Sequence, residues 1–316
     1  MFYIESLLML YTKKPLTVDE QIDRLEQRGL NFSDRKLARN YLQNISYYRL
    51  RAYTFPFQDN DPDADHEFLE DDIDFSDIID LYVFDRRLRS LVFNELEKIE
   101  VAIRTQLSLV YSNKSQDPFW YLDKSWFSRT SEDSFSSLID DVTDDVKRSN
   151  EDFIKHYKTK YDTPEMPPTW MSLEVVSFGT LSRMYKMLDK CPEKKQIALA
   201  FGVGNEDVFA NWLHAFSNLR NCCAHHSRIW NRRFVVHLKL AYNTSRPFLT
   251  TGSMRTIKPN KLFALLSAIK YVVDILSPEN SFKYNLMDLL NDHHRLLKLK
   301  EMGFPSDWQN LPVWKK

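Results

Sequence analysis

Glycine is scarce, with six in 316 residues, against an average usage near 7%. Sheet-rich and dinucleotide-binding folds rely on glycine in tight turns and phosphate loops, so their near-absence here argues against both. Gly202-Val-Gly204 is the densest glycine pairing, and it lacks the third glycine or lysine of a nucleotide-cradling loop. Three cysteines, two of them adjacent, cannot build a disulfide framework, which points to a reducing compartment. Net charge is −1 and pI about 6.7, so no global basic field draws the chain onto nucleic acid, and any such contact must be local. The opening Met1–Leu10 is apolar in part, but Glu5 interrupts it and no basic leader precedes it. A cytoplasmic protein with neither secretion signal nor membrane span is expected.

What is present centres on one stretch. From Asn205 to Phe234 a good N-cap residue is followed by a run without proline or glycine, which predicts one long helix. Placing residues about 100° apart puts Phe209, Trp212, Phe216, Leu219, Cys222, Cys223 and His226 on one buried stripe. The opposite arc gathers Arg220, Ser217, Arg228, Asn221, His214 and His225, with Leu213 its one apolar member. These are parts suited to cutting RNA without a metal. Attack by a 2′-hydroxyl on the neighbouring phosphodiester needs a group that moves a proton near pH 7, and His225 is the candidate. It also needs fixed positive charge for the phosphate oxygens, which Arg220 can give through paired hydrogen bonds. Asn221, four residues before His225, is placed to bond the imidazole and set its tautomer. His226 projects to the buried side, in a supporting role. Against this stands the plain alternative that an Arg/Asn/His face is solvated surface, as most such faces are. Zinc is disfavoured for Cys222, Cys223, His225 and His226, because neighbours on a helix diverge rather than converge. Neither metal nor cofactor is expected.

Arg220-Asn-x-x-Ala-His-His-x-Arg-x-Trp-Asn231 resembles the signature of the Abi-like family of abortive-infection proteins (AbiD/AbiF type), members of the HEPN superfamily. Further landmarks run in family order: Lys14-Pro-Leu-Thr17, Tyr47-Tyr-Arg-Leu50, Phe84-Asp-Arg-Arg-Leu-Arg89, Glu97-Lys-Ile-Glu100 with Arg104, Ser177-Phe-Gly-Thr-Leu-Ser182 and Met302-Gly-Phe-Pro305. The resemblance implies an all-α, HEPN-type helical bundle preceded by a small helical module. It implies a metal-independent endoribonuclease acting as a homodimer in phage defence or as a toxin, with Arg220, Asn221 and His225 catalytic. The alternative is a non-cleaving, regulatory protein that holds a structured RNA. An antitoxin protein or noncoding RNA is a further partner to look for.

Along the chain, residues 1–58 are expected to form the N-terminal module, with a Thr17/Glu20 capping box, a closing Gly29, and Arg35, Lys36, Arg39, Arg49 and Arg51 free either for phosphate or for solvent. Residues 59–77 form an acidic connector whose aspartates mimic calcium-loop spacing but put Ala64 where the turn glycine belongs. Residues 78–300 would hold the bundle and 301–316 a tail. A long amphipathic helix over 76–110 carries Glu97, Glu100 and Arg104, and Glu100 and Arg104 can support the motif helix from a neighbouring position, as can Arg228 from the motif itself. Arg232, Arg233, His237 and Lys239 are the strongest basic cluster. With Trp230, Asn231 and Phe234 they would hold a phosphate backbone and stack an unpaired base. Further helices are expected over 132–148, 170–188 with a disturbance at Gly179, 192–200, 261–276 and 281–299, the last bearing a surface His293-His294. The polar loop 243–260 would shape access.

Overall fold

The computed structural model describes residues 11–292 and 295–315; His293-His294 and Met1–Leu10 lie outside them. Among the described residues the protein is all-helical, its extended pairing limited to three isolated bridges. None of these helices is long and apolar enough to cross a membrane. The described residues divide into two compact units, one comprising residues 11–84 with 295–297 and the other the remainder.

The smaller unit holds α1 (Val18–Gln27), α2 (Arg35–Ile45), α3 (Tyr47–Thr54) and the start of α4 (Phe75–Ser115). The Thr17/Glu20 capping box forms as expected. Gly29, at φ +93°, closes α1 through bonds from Gly29 N to Glu26 O and from Leu30 N to Leu25 O, the pattern of a left-handed helix stop. The arginines do not stand free as a group. Arg35 pairs with Asp23 and Glu26 at 2.5 and 2.7 Å, and Arg39 with Asp19. The 59–77 segment is packed rather than loose. Asp65 pairs with the buried Arg28 at 3.0 Å, and Asp74 accepts from the Ser33 and Ser76 backbone at 2.8 Å each. The aspartates therefore serve cations and turns within the unit.

The larger unit takes α4 from Asp85 onward. It continues with α5 (Glu132–Arg148), α6 (Asp152–Lys160), α7 (Thr169–Val175), α8 (Phe178–Met187), α9 (Pro192–Ala200) and α10 (Glu206–Ala224). After α10 come α11 (Thr251–Met254), α12 (Leu262–Leu276), α13 (Phe282–Asn291) and α14 (Pro312–Lys315). α8, α9 and α12 pack on α10, and α12 is buried along most of its length. Large aromatic side chains fill the spaces between them: Trp120 lies 4.5 Å from Tyr111 in a stacked pair, and Trp212, Tyr185, Phe201 and Phe209 surround the first turns of α10. Truncating any of these typically costs about 3–5 kcal/mol.

Four expectations change. The 281–299 helix ends at Asn291. The 170–188 helix breaks at Val176–Ser177, not at Gly179, because the Ser177 hydroxyl caps a new helix by accepting from Thr180 N. Residues 301–316 are no tail: Trp314 is fully buried, donates to Ser267 Oγ at 3.0 Å and packs against Phe263 and Trp308. Gly303, at φ +89°, lets this segment pass where a Cβ would come within 2.6 Å of Lys261 Cβ. The 243–260 stretch is likewise anchored, with Phe248, Leu249, Met254 and Ile257 buried.

Candidate active site at the end of the motif helix

α10 starts where expected, with Asn205 Oδ1 accepting from the Asp207 and Val208 amides at 3.0 Å each. It does not run to Phe234. It stops at His225, where Ser227 N donates to Cys222 O at 2.8 Å and His226 N to Cys223 O at 3.1 Å, with His226 itself at φ +57°. This is a Schellman stop built on a histidine, although a left-handed residue with a Cβ costs about 1–2 kcal/mol. No proline or glycine announces it in the sequence. The stop overturns two wheel assignments: His226 is exposed rather than buried, and Arg228 is off the helix altogether. Ser217 and Leu213, drawn on the polar arc, are buried.

Beyond the stop, the chain is clamped onto α4. Ile229 and Trp230 are buried, so their amides require an acceptor, and the Asp85 carboxylate provides it at 3.2 and 2.8 Å. Asp85 is wholly buried and pairs with Arg89 one turn along. The Phe84–Arg89 stretch was thus informative in sequence, but the role of Asp85 was not visible there. A carboxylate and an arginine four apart read as an ordinary surface pair until the burial is known. The same clamp removes Trp230, 1% exposed, and Phe234, 6% exposed, from any part in stacking a base.

Arg220 is held by three contacts. Its Nε lies 3.3 Å from Glu100 Oε2, its Nη2 donates to Glu100 Oε1 at 3.4 Å, and its Nη1 donates to Asn221 Oδ1 at 3.3 Å. The amide of Asn221 therefore orients the arginine, where bonding to the imidazole had been expected. Glu100 is itself fixed by Arg104 Nη2 at 3.2 Å. Arg104 in turn donates to Leu173 O and Val176 O at 2.6 and 3.2 Å, anchoring it to the end of α7. Glu100 and Arg104 are both 12% exposed, so this carboxylate between two guanidiniums is partly desolvated and its geometry well determined. His225 and Asn221 are exposed beside it. Next to this group a cleft of about 510 Å³ opens between α4 and the end of α10, with Arg86, Arg89, Phe93, Glu97 and His226 on its walls.

The basic cluster separates. Arg233 is exposed and Arg232 half-buried, and Arg233 and Arg228 share their neighbourhood with Lys258 and the buried Lys261, whose ammonium is pushed down by burial and by these cations. Lys258 had carried no signal in sequence; the strand-like pairing of Phe234 N with Asn260 O at 2.9 Å brings it in. Lys239 does not join them. Its amide bonds Asn211 Oδ1 at 2.6 Å, and its carbonyl accepts from Trp212 Nε1 at 2.7 Å, so it lies by the early turns of α10. From Asn211 to His225 is about 21 Å of helix. Asn231 is half-buried and adjoins the clamp.

The sequence profile of the family described as Abi-like protein matches residues 40–231, more than half of the chain. The chain belongs to the Abi-like protein family. Membership associates it with abortive infection. The match ends at Asn231, the last residue of the motif, and includes Asp85, Glu100 and Arg104. No curated protein and no solved structure matches the Abi-like chain.

Cys223, buried beside this site, is pushed up to about 12 by burial and by the adjoining Cys222. With a pKa so high, roughly one molecule in ten thousand carries a thiolate there at pH 8. Iodoacetamide at that pH is expected to label the half-buried Cys222 and leave Cys223 intact in the folded protein, as peptide mass mapping would read. Equal labelling would mean that the end of α10 opens readily.

Proposed function

We propose that this Abi-like protein is a metal-independent endoribonuclease of the HEPN type, acting in abortive infection or as a toxin. The observation that carries the reading is a guanidinium fixed in place, Arg220 on Glu100 and Asn221, at the same helix end as an exposed imidazole, His225. In the reaction, His225 moves the proton of the attacking 2′-hydroxyl or of the leaving 5′-oxygen, and Arg220 meets charge growing on the phosphate oxygens. Arg228, Arg232, Arg233 and Lys258 supply the approach for the RNA backbone.

A second copy of the chain completes the site in this reading. Exposed apolar side chains offer surface that a partner would cover: Phe93 of α4, whose ring lies 6.0 Å from the Arg220 guanidinium, and Val101 and Leu109 further along α4, with Leu109 sharing a cleft with Arg104 and Trp170 of α7. Sedimentation of the wild type is expected to give a dimer, and Val101→Asp with Leu109→Asp a monomer that no longer cleaves.

The deciding experiment is incubation of total cellular RNA with the protein in excess EDTA, with analysis of the fragment ends. Cleavage that leaves 2′,3′-cyclic phosphates supports the reading; intact RNA that co-purifies with the protein would replace it by an RNA-holding role. Glu100→Gln probes the arginine. It keeps the shape but removes the charge that holds Arg220, so RNA binding is expected to tighten while single-turnover cleavage slows about tenfold. An unchanged rate would mean that Glu100 plays no part in positioning.

A further inference from the structure

A separate recess of about 340 Å³ lies at the end of α12 and the start of α13, between Arg246 and Pro312. It belongs to residues outside the span matched by the family, and neither the motif nor its RNA approach uses it. Its size is within the usual range of small-molecule sites, which begin near 300 Å³.

Its charge is unbalanced. Arg246, Lys270 and Lys283 line it, against a single carboxylate, Asp274. That carboxylate is already engaged on both oxygens, by Lys270 Nζ at 2.5 Å and by Asn280 Nδ2 at 3.0 Å. Lys270 is 3% exposed, so one of the three cations is built into the interior and aimed by Asp274. Arg246 donates from Nη1 to the Asp274 carbonyl at 3.0 Å, which fixes its guanidinium and leaves the other donors directed elsewhere. Lys283, in the first turn of α13, is pushed down by burial and by the charge of Lys270 across the recess. α13 adds its positive end, although its first amide, Phe282 N, already donates to Asn280 Oδ1 at 3.1 Å. Asp274 balances one of the three cations, which leaves two positive charges in the recess for a bound anion to neutralise.

The other walls are apolar and flat. Pro247, Pro278 and Pro312 face the recess, and Tyr284, 64% exposed, stands at its rim with Lys283 Nζ 6.0 Å from its ring centroid. A multiply charged anion satisfies the cations, and a planar ring attached to it satisfies the prolines and tyrosine. From this juxtaposition we propose that the recess binds a nucleoside monophosphate, its phosphate on Arg246, Lys270 and Lys283 and its base against Tyr284 and the prolines. The proposal does not rest on nuclease activity. Its ligand can be a free nucleotide or the 5′-phosphorylated end of an RNA.

Isothermal titration calorimetry tests it with adenosine 5′-monophosphate, inorganic phosphate and adenosine on the whole protein. Adenosine monophosphate is expected to bind at least tenfold more tightly than either fragment. Lys283→Gln and Arg246→Gln, both at the accessible edge, should each weaken it at least tenfold, with melting temperatures confirming that they fold. Arg220→Ala should leave it unchanged, which separates this site from the motif. A 2′-O-methyl tetranucleotide with a 5′-phosphate binding more tightly than its 5′-hydroxyl form, in a Lys283-dependent manner, would assign the ligand to an RNA end. Binding of the mononucleotide alone would assign it to the free nucleotide. No binding, binding indifferent to both substitutions, or equal affinity for inorganic phosphate would overturn the proposal.

Discussion

His225→Ala is expected to lower RNA cleavage by a factor of about 10²–10⁴, the usual contribution of a positioned acid–base group. RNA affinity and thermal stability should scarcely change, because the imidazole is exposed and the helix stop is set by backbone bonds. Single-turnover cleavage, filter binding and thermal melting read the three quantities separately. Loss of all three together would make His225 a structural residue. Arg220→Ala should instead weaken binding and cleavage alike, since a guanidinium meets phosphate before and during the reaction. Cleavage retained in that variant would end its assignment.

Asp85→Ala is expected to have the largest effect on stability. It removes the carboxylate that pairs with the buried Arg89 guanidinium and accepts from the Ile229 and Trp230 amides. Removing one partner of a buried pair costs about 3–5 kcal/mol, which for a unit of this size lowers the melting temperature by roughly 6–20 °C. Urea unfolding should show the loss, and the Trp230 environment should become solvent-exposed by fluorescence quenching. A variant as stable as the wild type would mean that Arg89 and the two amides find water or other partners easily. Removing both charges with Asp85→Leu and Arg89→Met should recover part of the loss, because a buried pair gains little over well-packed apolar groups.

Much of the fold could be read in advance from local chemistry. The capping box at Thr17, the boundaries of α5 and α9, and the start of α4 follow from caps, prolines and apolar spacing, whereas α4 runs on past the expected Val110 to Ser115. A place for Glu100 or Arg104 beside the motif helix was anticipated as well, though not the ion pair between Glu100 and Arg220. What escaped sequence reading depends on long-range burial. Nothing local says that Asp85 would reach residues 144 and 145 positions away, that Trp230 would be buried beneath it, or that Lys239 would fold back beside Asn211. The end of α10 escaped for another reason. Helical periodicity continues in the sequence past the point where the backbone turns, because the stop uses a residue type that does not normally mark one.

That choice has a price in evolutionary terms. The chain has six glycines and places three of them, Gly29, Gly202 and Gly303, at left-handed backbone positions. At position 226 the same conformation is held by histidine. A glycine there would relieve about 1 kcal/mol of backbone strain, so His226→Gly is a candidate stabilising change, set against the interaction that the histidine makes. With histidine at this residue, the chain forgoes backbone stability that glycine would supply. Thermostability screens of this chain would be drawn toward substitutions at position 226, and each should be checked for activity before being carried forward.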